Sequence, residues 1–189
     1  MKYLKIISIA MMLPLLAISC KKKPNPKLEV PQEELDDVQV HFILLDDNQE
    51  ATSDTTSIIF DNVGQANVDL LTVYGGKKYL MLIDIFNEEE SINDEIIEDG
   101  DMHQFFFIPS DSGLITSFEY LDEDQNGRAI GLKNKIEWAA TEITADFKII
   151  LRHGLDKSHE NAVDFNDPNY RNAGGEDDLQ VSFEIKTIL

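Results

Sequence analysis

The chain has 189 residues, a formal net charge of −20 and a single cysteine, Cys20. So negative a surface repels the phosphates of nucleic acids and of anionic lipids, which excludes nucleic acid as a partner and electrostatic attachment to a membrane. One cysteine also excludes an internal disulfide, so the folded domain must be stable without one.

The first nineteen residues have the composition of a signal peptide. Two lysines precede an apolar run over residues 6–18, and the small residue Ser19 stands directly before Cys20. This pattern is typical of secretory signals, and the apolar run is too short to span a bilayer. We predict a lipoprotein signal peptide over residues 1–19, with Cys20 lipid-modified as the first residue of the mature chain. The alternative is a buried thiol that happens to follow an apolar stretch.

The residues after Cys20 have the composition of a tether. Three prolines and several lysines occupy residues 21–31, and proline fixes φ and removes a hydrogen-bond donor, which favours an extended spacer. We predict a lipidated cysteine and flexible tether over residues 20–37 and one domain over residues 38–189. An acyl anchor places this domain in the cell envelope at the outer membrane, and the sequence leaves open which leaflet holds it.

From residue 38 onward, apolar residues recur mainly at every second position, the period of a strand with one buried face. About nine such segments are separated by turns rich in Asn, Asp and Gly. They cover residues 38–44, 55–60, 68–74, 79–86, 102–108, 114–121, 133–140, 147–151 and 179–185. Helix signals are weak, so we predict an all-β fold, an antiparallel immunoglobulin-like β-sandwich of about seven to nine strands.

Motifs of common enzyme classes do not occur in the sequence. It contains no nucleophile elbow, no Walker loop, no dinucleotide-binding glycine motif and no His-Glu-x-x-His pair. Cys20 is assigned to the anchor, which leaves no cysteine nucleophile. We therefore predict that the protein is not an enzyme.

Two histidines define the first candidate site. His103 shares strand parity with Phe105 and Phe107, and His153 shares parity with the apolar residues of its own strand, so both should point inward at a strand end. Asp101 stands close to His103, and imidazole nitrogens with a carboxylate are ligands for zinc or copper. This predicts a transition-metal site if the two strand ends are neighbours. The alternative is a pair of partly buried histidines bonded to backbone or carboxylate groups.

The second candidate site is the acidic turn that ends at Gly127. Asp122, Asp124 and Asn126 stand at positions 1, 3 and 5 of a calcium-loop pattern with glycine at position 6, in which alternate oxygens converge on one cation. Position 12 is Lys133, where that pattern has a bidentate glutamate. Two interpretations stay open, a calcium site and a tight hairpin turn in which Asp, Asn and Gly are ordinary residues.

Four motifs in this order carry a resemblance to known proteins. They are EDGDMHQFFF around His103, YLDEDQNGRAIGL from Tyr120, LRH ending at His153 and GGEDDLQVSF from Gly174. Together they resemble a family of small Bacteroidota envelope lipoproteins of unassigned function, and the similarity covers roughly residues 38–189.

This resemblance implies that Glu176 and Asp177 act together with His103 and His153. It also implies a TonB-dependent outer-membrane receptor as a partner. We therefore predict a lipid-anchored accessory or ligand-binding protein for nutrient uptake at the outer membrane, with a transition metal as its most concrete ligand. The alternative is a calcium-stabilised immunoglobulin-like module that mediates adhesion or binds glycans or proteins.

Overall fold

The computed structural model describes residues 35–61 and 64–189. The predicted signal peptide, Cys20 and most of the predicted tether lie outside these residues. The first strand begins at Asp37, one residue before the predicted start of the domain. None of the helices in the described part of the chain has the length and apolar content that crossing a bilayer requires.

The described residues form ten strands, one short α-helix and two 3-10 helices. The strands are β1 (Asp37–Leu45), β2 (Ala51–Phe60), β3 (Leu70–Tyr74), β4 (Lys78–Asn87), β5 (Glu90–Ser91), β6 (His103–Pro109), β7 (Ile115–Tyr120), β8 (Lys133–Trp138), β9 (Thr144–His153) and β10 (Glu176–Ile188). The helices are α1 (Asn93–Glu98) and the 3-10 helices Glu160–Ala162 and Tyr170–Ala173.

These strands form two sheets. The first has the order β2-β1-β4-β8-β7, with β5 paired to β4, and the second has the order β3-β10-β9-β6. Neighbouring strands are antiparallel, except that β3 runs parallel to β10. The prediction of an all-β sandwich is therefore confirmed, and the parallel pair at one edge is its one departure from antiparallel order within the described residues.

The main core lies between the two sheets. It is built from alternate strand residues, because successive side chains of a strand point to opposite faces. Aromatic rings connect the sheets: Phe42 of β1 lies 6.5 Å from Phe183 of β10, and Trp138 of β8 lies 5.7 Å from Phe147 of β9, measured between ring centroids. All four side chains are almost fully buried, and each contributes roughly 2–3 kcal/mol through the apolar surface removed from water.

Residues 154–175 connect β9 to β10 and cover the outer face of the second sheet; we call this segment the cap. Two strand residues, Phe106 and Ile150, point away from the main core and are fully buried beneath it. Their apolar neighbours in the cap are Leu155, Ala162, Tyr170 and Ala173. The cap explains why β6 is apolar on both faces, and it buries Ile150, which strand alternation had placed on the outer face.

The last turn of the cap is held by Arg152. This arginine donates hydrogen bonds from Nε to the carbonyl of Gly174 (2.8 Å) and from Nη2 to the carbonyl of Gly175 (2.7 Å). Gly175 has a φ of +75°, and a Cβ atom there would overlap the carbonyl oxygen of His153. A glycine is therefore required where the chain returns to β10 beside His153.

Candidate metal centre

His103 and His153 meet at one end of the sandwich. His103 begins β6, His153 ends β9, and the two residues are direct partners in the antiparallel pairing of these strands. Their ring centroids are 4.5 Å apart, and their exposed fractions are 0% and 7%. Strand alternation places both rings on the inner face. Because β6 pairs with β9, the two strand ends predicted to carry the site are neighbours.

Asp178 joins the two histidines because β10 contains a β-bulge. Asp177 pairs with Arg152 and Leu179 pairs with Leu151, so Asp178 is the extra residue of β10. The bulge turns the Asp178 carboxylate toward His153, where its Oδ2 lies 3.1 Å from Nδ1 of the ring, and the carboxylate side chain is 1% exposed. A bulge re-aims a side chain in this way without breaking the sheet.

One ligand atom from each of His103, His153 and Asp178 lies within 4.8 Å of the other two. Tetrahedral zinc, with bonds of about 2.0–2.1 Å, places its ligand atoms about 3.4 Å apart. Binding of zinc would therefore require the three side chains to approach one another by up to about 1.4 Å relative to this structure. We call these three residues the candidate metal centre.

The ring of His103 is in the form that binds metals. Its Nδ1 lies 3.1 Å from the carbonyl oxygen of Asp99, and a carbonyl accepts hydrogen bonds, so the proton is on Nδ1 and the lone pair is on Nε2. Burial and the neighbouring His153 lower the pKa of His103 to about 4, against the ordinary value of 6.5. The imidazole is therefore neutral near pH 7, as a metal ligand must be.

His153 lies beside a carboxylate. Oδ2 of Asp178 is 3.1 Å from Nδ1 of its ring, so a metal ion held by both residues would bind this ring through Nδ1, and Nε2 is the remaining ring nitrogen. That Nε2 atom is buried and has no hydrogen-bond partner among the described residues. A buried polar atom without a partner costs free energy, so the Nε2 atom is a costly feature of this end of the sandwich.

A buried lysine of the cap supports the backbone around His103. Nζ of Lys157 donates hydrogen bonds to the carbonyls of Gly100 (2.7 Å) and His103 (3.0 Å) and lies 3.1 Å from Oδ2 of Asp124. The side chains of Lys157 and Asp124 are each 1% exposed. Burial lowers the pKa of Lys157, and the hydrogen bond to Asp124 opposes that shift. The lysine thus ties the cap to the turn that precedes β6.

The structure does not bring the other predicted transition-metal ligands to this centre. Asp101 is exposed on the turn before β6, and Glu176 pairs with His153 through the backbone but has an exposed side chain. Asp177 lies on the outer face, where its carboxylate binds the guanidinium groups of Arg152 and Arg171. The described structure groups the two histidines with Asp178 instead of with these three acids.

The acidic turn is arranged as a hairpin turn. The carboxylate of Asp122 accepts three backbone hydrogen bonds, and Oδ1 of Asp124 accepts the backbone N–H groups of Asn126 (2.8 Å) and Arg128 (3.0 Å). The donors to Asp122 are the backbone N–H groups of Gly131, Leu132 and Lys133, at 2.8, 2.8 and 3.1 Å. Both carboxylates are thus directed at N–H groups and at Lys157, so the contacts favour the hairpin interpretation over calcium at Asp122, Asp124 and Asn126.

An open pocket of about 230 Å³ borders the candidate metal centre at Asp178. It lies between the start of β1, the end of β2 and the start of β10, and its lining includes Asp36 and Asp61.

The remaining histidines lie elsewhere: His41 contacts Ser57 and Asp84 on the first sheet, and His159 caps a 3-10 helix.

Comparison with known proteins gives no relative: no family model, no curated protein and no solved structure matches the chain. The resemblance to envelope lipoproteins therefore stays a prediction.

Proposed function

We propose that this protein is a non-enzymatic, metal-binding lipoprotein of the cell envelope that serves transition-metal uptake. The observation that carries the proposal is the convergence of two imidazoles and one carboxylate, His103, His153 and Asp178, at a buried end of the sandwich. The carbonyl of Asp99 holds the proton of His103 on Nδ1, so this ring presents the Nε2 lone pair that a metal requires.

The donor set selects the class of metal. Calcium and magnesium take six or more oxygen ligands, whereas two imidazole nitrogens and one carboxylate oxygen suit Zn²⁺ or Cu²⁺. Three protein ligands leave one position of a zinc tetrahedron for a water molecule. Because the three side chains are almost fully buried, a substrate does not reach the ion in this conformation, which supports binding rather than catalysis.

The cellular part of the proposal is supported by the amino-terminal sequence. A lipidated Cys20 holds the domain at the outer membrane, in the periplasm or at the surface, where scarce metals are captured. The partner that we propose is a TonB-dependent outer-membrane receptor, as the family resemblance implies. The strongly negative charge of the chain raises the local concentration of cations around the domain.

Calorimetric titration of the full-length, metal-free protein with Zn²⁺ and Cu²⁺ tests this function. We expect about one equivalent of either metal to bind, and we expect the double variant His103→Ala, His153→Ala to lose that binding. The matched control is His41→Ala, His159→Ala, which removes two histidines away from the centre and keeps the binding. Equal binding by both double variants would contradict the proposal.

A further inference from the structure

One side of β10 is open over the first half of this strand. β3 pairs with β10 only from Glu184 onward, so residues 179–183 have β9 as their one strand partner among the described residues. Every second residue of a strand paired on one side directs its backbone N–H and C=O groups away from the partner. Such an edge is a template for a further strand, which would here continue the line of β3.

Two open pockets lie along this edge, and we call them together the β10 groove. The first, of about 230 Å³, is lined by β10 residues 178–181, and the second, of about 290 Å³, is lined by Ser182 and Phe183. Their other walls come from the start of β1 and from the segment that connects β2 to β3. The described residues that line the groove include no basic side chain and four acids, Asp36, Asp61, Asp69 and Asp178.

We propose that the β10 groove holds a segment of this same chain, residues 27–30, as an added strand. This segment has the sequence Lys-Leu-Glu-Val and lies outside the described residues. Leu35, the first described residue, itself lines the groove. Val30 precedes Leu35 by five positions, which an extended chain spans in about 17 Å, so the segment is always close to the groove. This inference is independent of metal binding.

The sequence of the segment fits the edge of a sheet. Leu28 and Val30 flank Glu29, which is the alternation of a strand with one buried face. Pro26 and Pro31 stop the pairing on either side, because proline has no N–H group to donate. The strand is thereby limited to four residues, as many as β10 contributes to the first pocket.

Charge favours this occupant over a second copy of the chain. Residues 21–31 carry four lysines and one acid, a charge opposite to that of the groove. A second copy brings a formal net charge of −20 and is repelled. Because the segment is joined covalently to the domain, its effective concentration at the groove is in about the millimolar range, so a weakly bound strand is populated.

A docked segment determines which end of the domain faces the membrane. Asp178 belongs both to the groove and to the candidate metal centre. Cys20, the predicted site of lipidation, precedes Lys27 by seven positions, which an extended chain spans in about 25 Å. The end of the sandwich that carries the centre is therefore held beside the bilayer.

Hydrogen exchange of the full-length protein, followed by mass spectrometry, tests the added strand. The double variant Leu28→Asp, Val30→Asp removes the apolar side chains of the segment and adds charge that the acidic groove repels. We expect exchange across residues 179–183 to be about 10- to 100-fold faster in this variant than in the native chain. The matched control Asn25→Asp, Gln32→Asp adds the same charge just outside the segment and should stay within about twofold of native, with β8 as the internal reference. Equal exchange in the native chain and in the first variant would overturn the proposal.

Disulfide trapping in the full-length chain identifies the occupant. Cys20→Ser removes the only native thiol, and Glu29→Cys is then combined with Gln180→Cys or with Ser182→Cys, two positions exposed on the outer face of β10. A disulfide requires Cα atoms about 4.4–6.8 Å apart, so we expect an intramolecular bond in at least one of these two pairs. The control is Glu29→Cys with Lys148→Cys, because Lys148 pairs with Ser182 from β9, one strand further from the groove.

Three outcomes of the trapping would overturn the proposal. They are reduced thiols in both test pairs, a bond to position 148 that forms as fast as the bonds to β10, and disulfide-linked dimers in place of the intramolecular bond. Dimers would show that a second copy of the chain occupies the groove.

Discussion

His103 and His153 lie directly opposite each other on β6 and β9, with ring centroids 4.5 Å apart. Two imidazolium ions at this distance inside a protein repel each other strongly, so the pair is stable when at least one ring is neutral. The same neutrality that metal binding requires therefore makes the metal-free protein sensitive to acid.

We expect the free energy of unfolding of the metal-free protein to fall as the pH decreases from about 6.5 to about 4. The pKa of His103 is lowered to about 4 by burial and by His153, whereas the unfolded chain has the ordinary value of 6.5. The unfolded state therefore binds more protons across this window. Relative to acid conditions, the neutral ring of His103 adds as much as about 3 kcal/mol to the free energy of unfolding. This amount is fully present above about pH 6.5 and is lost as the pH falls through 4.

Urea unfolding in the presence of a chelator, at about pH 7.5, 5.5 and 4.5, measures this dependence. His103→Gln removes the titrating group, so the free energy of unfolding should change little between about pH 7.5 and 5.5 in this variant. His41→Ala should keep the pH dependence of the native chain. A native curve that is already flat from about pH 6.5 to 4.5 would contradict the lowered pKa.

The neighbouring acids Asp177 and Asp178 should have separate roles. Asp178→Asn removes a candidate ligand and is expected to weaken zinc binding by roughly 10- to 100-fold. Asp177→Asn instead weakens the ion pairs with Arg152 and Arg171, and it should lower the free energy of unfolding by about 2–3 kcal/mol because Arg152 is buried. Calorimetry measures the zinc affinity of both variants, and urea unfolding measures their stability. If Asp177→Asn weakened zinc binding and Asp178→Asn did not, Asp177 would be the ligand.

The buried pair of Lys157 and Asp124 should behave as a coupled unit. Lys157→Met leaves the Asp124 carboxylate buried without its cation and is expected to cost about 3–5 kcal/mol of stability. Adding Asp124→Asn removes that charge while its Oδ1 can still accept the backbone N–H groups of the turn, so the double variant should recover part of the loss. A double-mutant cycle in urea measures the coupling, and simple additivity of the two changes would contradict it.

The acidic turn should be stable without calcium. Asp122→Ala removes the acceptor of three backbone N–H groups, and it should lower the free energy of unfolding by about 1–3 kcal/mol. Calcium chloride at about 1 mM should leave the melting temperature of the native protein unchanged, since bound calcium would raise it by mass action. A rise that disappears in Asp122→Ala would restore the calcium interpretation.

Strand alternation was sufficient to predict the β-sandwich and the inward direction of His103 and His153, because a period of two is a property of the residues themselves. It could not predict Asp178. A regular strand gives Asp177 the same face as Leu179, and the bulge that reverses this depends on pairing with β9, which no local pattern reveals. The acids implied by resemblance, Glu176 and Asp177, consequently lie next to Asp178, the acid that the structure places with the two histidines.

The cap and the acidic turn show two other limits of local sequence patterns. Ile150 and Arg152 alternate with core residues as an exposed face would, and they are buried because the cap folds back over their strand. The acidic turn matches half of a calcium loop because Asp, Asn and Gly serve both purposes: their short oxygens either bind a cation or accept hydrogen bonds from the turn's own backbone.

The position of β10 has a consequence for the order in which the protein matures. Although β10 is the last strand of the described chain, it lies between β3 and β9 in the second sheet. Strand β3 therefore joins the β9–β6 pair only after β10 has paired with both of its neighbours. The ribosome must therefore finish β10 before this sheet closes, and the many contacts between distant parts of the chain slow the closure further. Late closure of this sheet is compatible with the export that the signal peptide predicted over residues 1–19 would require.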